Sequence, residues 1–74
     1  MKNNKIQMIE ARFPKGTRVK CIDMHDKWAV PSGTCGTVMF VDAIGTIHVN
    51  WDNGSTLGLI IEEDEFMKIP NNKQ

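Results

Sequence analysis

No run of apolar residues approaches the roughly 18 that a membrane-crossing helix requires, so the sequence offers no transmembrane span. No excess of either charge exists: nine Lys and Arg balance nine Asp and Glu. That balance excludes a generally basic nucleic-acid binder and a highly charged disordered tail. Cysteine is scarce. Cys21 and Cys35 alone do not make the disulfide framework of a small secreted scaffold. A bridge between them is conceivable if their strands are neighbours, but cytosolic structural disulfides are rare, and two free, semi-buried thiols are expected. The Cys-x-x-Cys and His-x-x-x-His spacings are also missing. His25 with Asp26, plus Cys35 and Cys21, is therefore read as a polar loop beside a buried thiol, with no metal site and no cofactor. Met1-Lys2-Asn3-Asn4-Lys5 is followed by no signal-peptide core, so the expected location is the cytoplasm. Repeats and low-complexity segments are absent.

What remains is a chain of 74 residues, 41% hydrophobic, enough for one small domain with a minimal core. A domain of this length buries only about 60% of its unfolded surface. The expected division is a short helical or flexible segment over 1–12, a β-barrel domain over 13–69 and a disordered tail over 70–74.

Ile6, Ile9 and Phe13 recur at spacings of three and four, which predicts a short amphipathic helix with Asn3 or Asn4 as its cap. Pro14 and Gly16 end it. From Thr17 the period becomes two. Thr17–Cys21 reads as a half-buried strand, with Ile22 marking a bulge or bend. Residues 25–35 have no period and form a long loop. Gly36–Val41 is a second strand, apolar on both faces at its centre. Thr46–Trp51 is the clearest strand, with Ile47, Val49 and Trp51 on one face and His48 on the other. Asp52, Asn53 and Gly54 form a structural turn; Asn-Gly predicts a two-residue type I′ hairpin. Thr56–Ile60 is a fourth strand and Phe66–Ile69 a fifth, joined by the charged turn Glu62–Glu65. The fold class is all-β: a small five-stranded barrel of the Src-homology-3-like kind, closed or nearly so, with a short N-terminal helix. Its expected core is Val19, Cys21, Val38, Phe40, Ile47, Val49, Trp51, Leu57, Leu59 and Ile69.

Several segments run in one order: Arg18-Val19, Met24-His25-Asp26, Pro31-Ser32-Gly33-Thr34-Cys35-Gly36-Thr37-Val38, Val41-Asp42, Gly45-Thr46-Ile47-His48-Val49 and Trp51-Asp52-Asn53-Gly54-Ser55. Over about residues 12–69 they resemble a family of small bacterial proteins known only as a domain of unknown function, frequent in phage-like and conjugative elements. The chain departs from that pattern at Lys27, where proline commonly follows the aspartate, and at Glu62, where glycine is common. The Trp-Asp-Asn-Gly stretch also resembles repeats of mind-bomb-type ubiquitin ligases, which are peptide-binding barrels of the same kind. The resemblance implies a fold and a genomic setting, and no reaction.

A thiol nucleophile would need Cys21 or Cys35 beside His25 or His48, and no spacing assembles such a pair. The chain is read as non-catalytic. Residues 1–37 carry a charge of +4 and residues 38–74 a charge of −4. Arg18 and Lys20 face outward from the first strand, and Lys68 joins them if the last strand pairs with the first; this stripe is the alternative, a nucleic-acid contact. Its competing reading is an ordinary solvated strand face. The favoured site is the long loop, where Met24, Asp26, Trp28, Val30 and Pro31 are the candidate contacts for a protein or peptide partner. Trp28 is either an exposed binding residue or a lid folded over the barrel end.

Overall fold

The computed structural model describes residues 4–24 and 27–70. Its elements are helix α1 (Asn4–Arg12) and strands β1 (Arg18–Asp23), β2 (Cys35–Val41), β3 (Ile47–Trp51) and β4 (Glu65–Ile69). The strands form one antiparallel sheet in the order β3-β2-β1-β4. Among the described residues the protein is therefore mostly β with one short helix, and the sheet has four strands and does not close.

The missing strand is the segment 56–60. Its backbone pairs with that of β3 through Leu59, whose N–H and C=O both bond to Ile47, at 2.8 and 2.9 Å. The physical reason lies at Leu57. Its carbonyl accepts the indole N–H of Trp51 at 2.7 Å and is committed to a side chain instead of a ladder.

Alternation places Val19 and Cys21 on the inner face of β1, and Ile47, Val49 and Trp51 on the inner face of β3. The register of β1 on β4 shifts between Cys21 and Asp23, the bulge expected at Ile22. A second shift separates Val38 from Phe40 in β2. It turns Phe40 outward, 56% exposed, and Val41 inward. The expected core position of Phe40 is thus corrected: the bulge at Met39 reverses the strand's phase. Ile69 is also outside the core, because it pairs with Arg18 on the outer face. Leu57 is half-buried against the core.

An isolated nine-residue helix is marginal in water, so α1 depends on what it buries. Ile6, Ile9 and Phe13 all enter the core, each contributing roughly 1.5–3 kcal/mol. Phe13 meets the ring of Phe66 at 5.4 Å. Lys5 reaches Glu62 at 2.6 Å and ties the helix to the turn before β4. Helix α1 thus adds Ile6 and Ile9 to the domain core. Gly45, under Ile6 and Ile9, has φ +93° and ends the β2–β3 turn; Gly54, at φ +95°, does the same after β3. In each turn the glycine N–H bonds to the carbonyl three residues back, and the strands close one residue later. This is the three-residue loop built on a type I turn with a left-handed glycine. The expected type I′ turn does not form, because Asn53 keeps a negative φ. Asn3 and the tail residues 71–74 lie outside the described residues.

Cys21 and Cys35 are both free. Cys35 pairs with Lys20 and shares its outer face, while Cys21 points inward, so the strand phase separates the thiols.

Candidate functional site

The long loop is stapled at its base. Cys21 N–H donates to Thr34 O, and Gly33 N–H to Cys21 O, both at 2.7 Å. Met24 and Val30 turn under and enter the core, at 8% and 5% exposure. They are corrected from contact residues to anchors: each is the apolar flank that fixes one arm of the loop. The Cys21 thiol donates to the Val30 carbonyl at 3.7 Å and is drawn into the same anchorage. Trp28, by contrast, is 72% exposed, with the Lys27 ammonium 5.6 Å from its ring centroid. Pro31 is exposed beside it. Asp26 and His25 lie outside the described residues. Of the five expected contacts, the structure brings Trp28 and Pro31 to the surface on a loop with a fixed base.

The basic stripe is not assembled as expected. Arg18 forms a two-pronged pair with Asp52, at 3.0 and 2.6 Å, and also donates to the Thr37 hydroxyl at 3.0 Å. Asp52 is held below its ordinary pKa by that hydrogen bond and the guanidinium charge. Asn53 accepts the N–H of Ser55 within the turn. Lys68 pairs with Val19 in the ladder, which puts it on the opposite face from Arg18 and Lys20. Its ammonium sits 5.5 Å from the Phe13 ring centroid. Lys20 stays exposed on the outer face.

Sequence reasoning missed a third arrangement. Asp42 Oδ1 accepts the N–H groups of Ile44 and Thr46, at 3.1 and 2.9 Å, and its Oδ2 lies 2.8 Å from Nε2 of His48. The His48 bond is the main cause of an Asp42 carboxyl held below the usual carboxylate range, with the two amides adding to it. His48 in turn stacks on Phe40, with ring centroids 4.3 Å apart and planes 8° from parallel. The outward phase of His48 was legible, but the run Val38-Met39-Phe40-Val41 hid the position of Phe40.

Burial pushes the Cys21 thiol up, away from the reactive thiolate. The Cys35 thiol leans on the Gly33 carbonyl at 3.8 Å. Among the described residues no three His, Cys, Asp or Glu side chains converge to hold a metal ion, and no helix is long and apolar enough to cross a membrane.

No curated protein and no solved structure matches the chain. One family does, over residues 2–69, from the helix to the end of β4. The chain belongs to that family, described as Domain of unknown function (DUF4314).

Proposed function

We propose that this domain is a non-catalytic interaction module that binds a protein or an extended peptide, as a cytoplasmic accessory of a phage-like or conjugative element. The proposed architecture is an opened relative of the Src-homology-3-like barrel, in which residues 56–60 run where a further strand would close it. The observation that carries the reading is the 72% exposure of Trp28 on a loop whose flanks, Met24 and Val30, are buried. A large ring at the surface forgoes its own burial in the fold. A fixed loop base lowers the ordering cost a partner would meet, and Trp is enriched at binding hot spots. The mobile-element setting rests on the motif resemblance alone.

The test is capture from the native host with wild type and Trp28→Ala in parallel, together with thermal melts of both. Loss of a Trp hot spot commonly weakens binding by about 2 kcal/mol or more, about thirtyfold. The expected outcome is an unchanged melt with the partner lost. An unchanged melt with undiminished capture removes Trp28 from the interface. A lowered melting temperature returns it to the role of lid. The nucleic-acid alternative through Arg18, Lys20 and Lys68 has less support, since Arg18 is engaged by Asp52 and Lys68 faces the other way.

A further inference from the structure

The outer face of β2 and β3 carries a feature that the Trp28 loop does not use. Phe40 and His48 are partners across the ladder with stacked rings, yet Phe40 remains 56% exposed. The pair is held in place from one end: Asp42 grips His48 Nε2 while two backbone N–H groups grip Asp42. That carboxylate is already engaged by three donors. Beside the stack is a shallow groove lined by Lys15, Met39, Asn50 and Thr56. Lys15 and Asn50 are exposed, one a cation, the other an amide able to donate and accept.

A planar ring would extend the stack, the amide would hydrogen-bond a polar ring edge, and the ammonium would meet a nearby anion. Ring, polar edge and anion within one short span are the chemistry of a nucleotide. We propose that the Phe40–His48 stack binds an unpaired base of single-stranded nucleic acid, with Asn50 on the base edge and Lys15 on the adjacent phosphate. A base inside a duplex has no free face to offer, so the site selects single strands. The ligand is a strand and not a lone nucleotide because the groove is open and a single stacked base contributes only about 1–3 kcal/mol. Further affinity comes from the same outer face of the sheet, where Lys20 is exposed. The site is separate from the Trp28 surface, and either can fail without the other.

The experiment is fluorescence anisotropy with a labelled oligothymidine of about a dozen nucleotides, against a duplex of equal length, at about 50 mM salt. The single strand is expected to bind and the duplex to bind more weakly. Phe40→Ala should weaken binding roughly 5- to 150-fold, the range for losing one base–aromatic stack. Phe40→Leu should do so too while keeping the apolar bulk and the wild-type melt. Lys15→Ala should flatten the plot of log affinity against log salt by about 0.7, one single-strand phosphate contact. Trp28→Ala should bind the oligonucleotide as wild type does. Absence of binding, equal binding of the duplex, or wild-type affinity in folded Phe40→Leu would overturn the proposal.

Discussion

Placing a single methyl group on Gly36 tests the packing of the inner face directly. Gly36 lies opposite Trp51 in the β2–β3 ladder. A Cβ there would stand 2.6 Å from Val49 Cγ1, 2.8 Å from Trp51 Cε3 and 3.1 Å from the Asn50 carbonyl oxygen. Favourable carbon–carbon contacts lie at about 3.5–4.0 Å, so two neighbours must move. Neither moves easily. Val49 is 1% exposed, and Trp51, 2% exposed, is tethered by its bond to Leu57. Where the native backbone suits both residues, Gly→Ala stabilises by about 0.4–1 kcal/mol through the unfolded chain. Overpacking opposes this at about 1–3 kcal/mol, and two immobile neighbours place the cost in the upper part of that range. The net loss is about 1–2 kcal/mol, which in a domain of this size lowers Tm by about 5–15 °C. Thermal and urea melts followed by circular dichroism measure it. Val49→Ala removes the nearest methyl, so the double variant Gly36→Ala/Val49→Ala should lose less than the two single losses added together. A raised or unchanged Tm in Gly36→Ala, or strict additivity in the cycle, would refute the reasoning.

Trp51→Ala should cost about 3–5 kcal/mol, as for deletion of a buried Trp or Phe, and leave the protein largely unfolded; a near-wild-type melt would contradict its inward placement. Trp28→Phe should leave a protein whose remaining emission, from Trp51, is blue-shifted and resists acrylamide. Easy quenching of that variant would contradict the burial of Trp51, and an unchanged spectrum would contradict the exposure of Trp28. Asp42, Asp52 and Glu62 are all held below their ordinary values, chiefly by hydrogen bonds from His48, Arg18 and Lys5. A depressed folded pKa stabilises fully above the unfolded value and less as pH falls through the folded one. Tm should therefore be level from pH 7 to about 5 and fall below about pH 4, less steeply in Asp42→Asn. A level Tm down to about pH 3 would sink this account.

The parts of the fold legible in the sequence were those with a clean period. The spacing of Ile6, Ile9 and Phe13 marked α1, and the alternation through Ile47, Val49 and Trp51 marked β3 and its inner face. Where the period failed, so did the reading. Val38-Met39-Phe40-Val41 is apolar throughout, so nothing in it shows that a bulge sends Phe40 outward and Val41 inward. Leu57 and Leu59 alternate as a strand would, but the indole of Trp51 claims the carbonyl of Leu57, an event decided in three dimensions. The loop was legible as a loop. Its composition could not distinguish Met24 and Val30, which anchor it, from Trp28, which it displays. The turn at Asp52 was recognised for its local chemistry, whereas its partner Arg18 lies 34 residues earlier and is brought there by the sheet.

Strand order also sets a timetable for the nascent chain. β1 lies between β2 and β4, so it is complete only when paired on both sides. Roughly 40 residues separate Asp23 from Glu65, and at about 5–20 residues per second their synthesis takes roughly 2–8 s. During that interval β2 and β3 can form their hairpin and capture one side of β1. The other side waits with its backbone groups unpaired, open to another strand. The charged residues Glu62, Glu63 and Asp64 emerge immediately before the strand that ends the wait. Slower synthesis of residues 24–64 would prolong that vulnerable state.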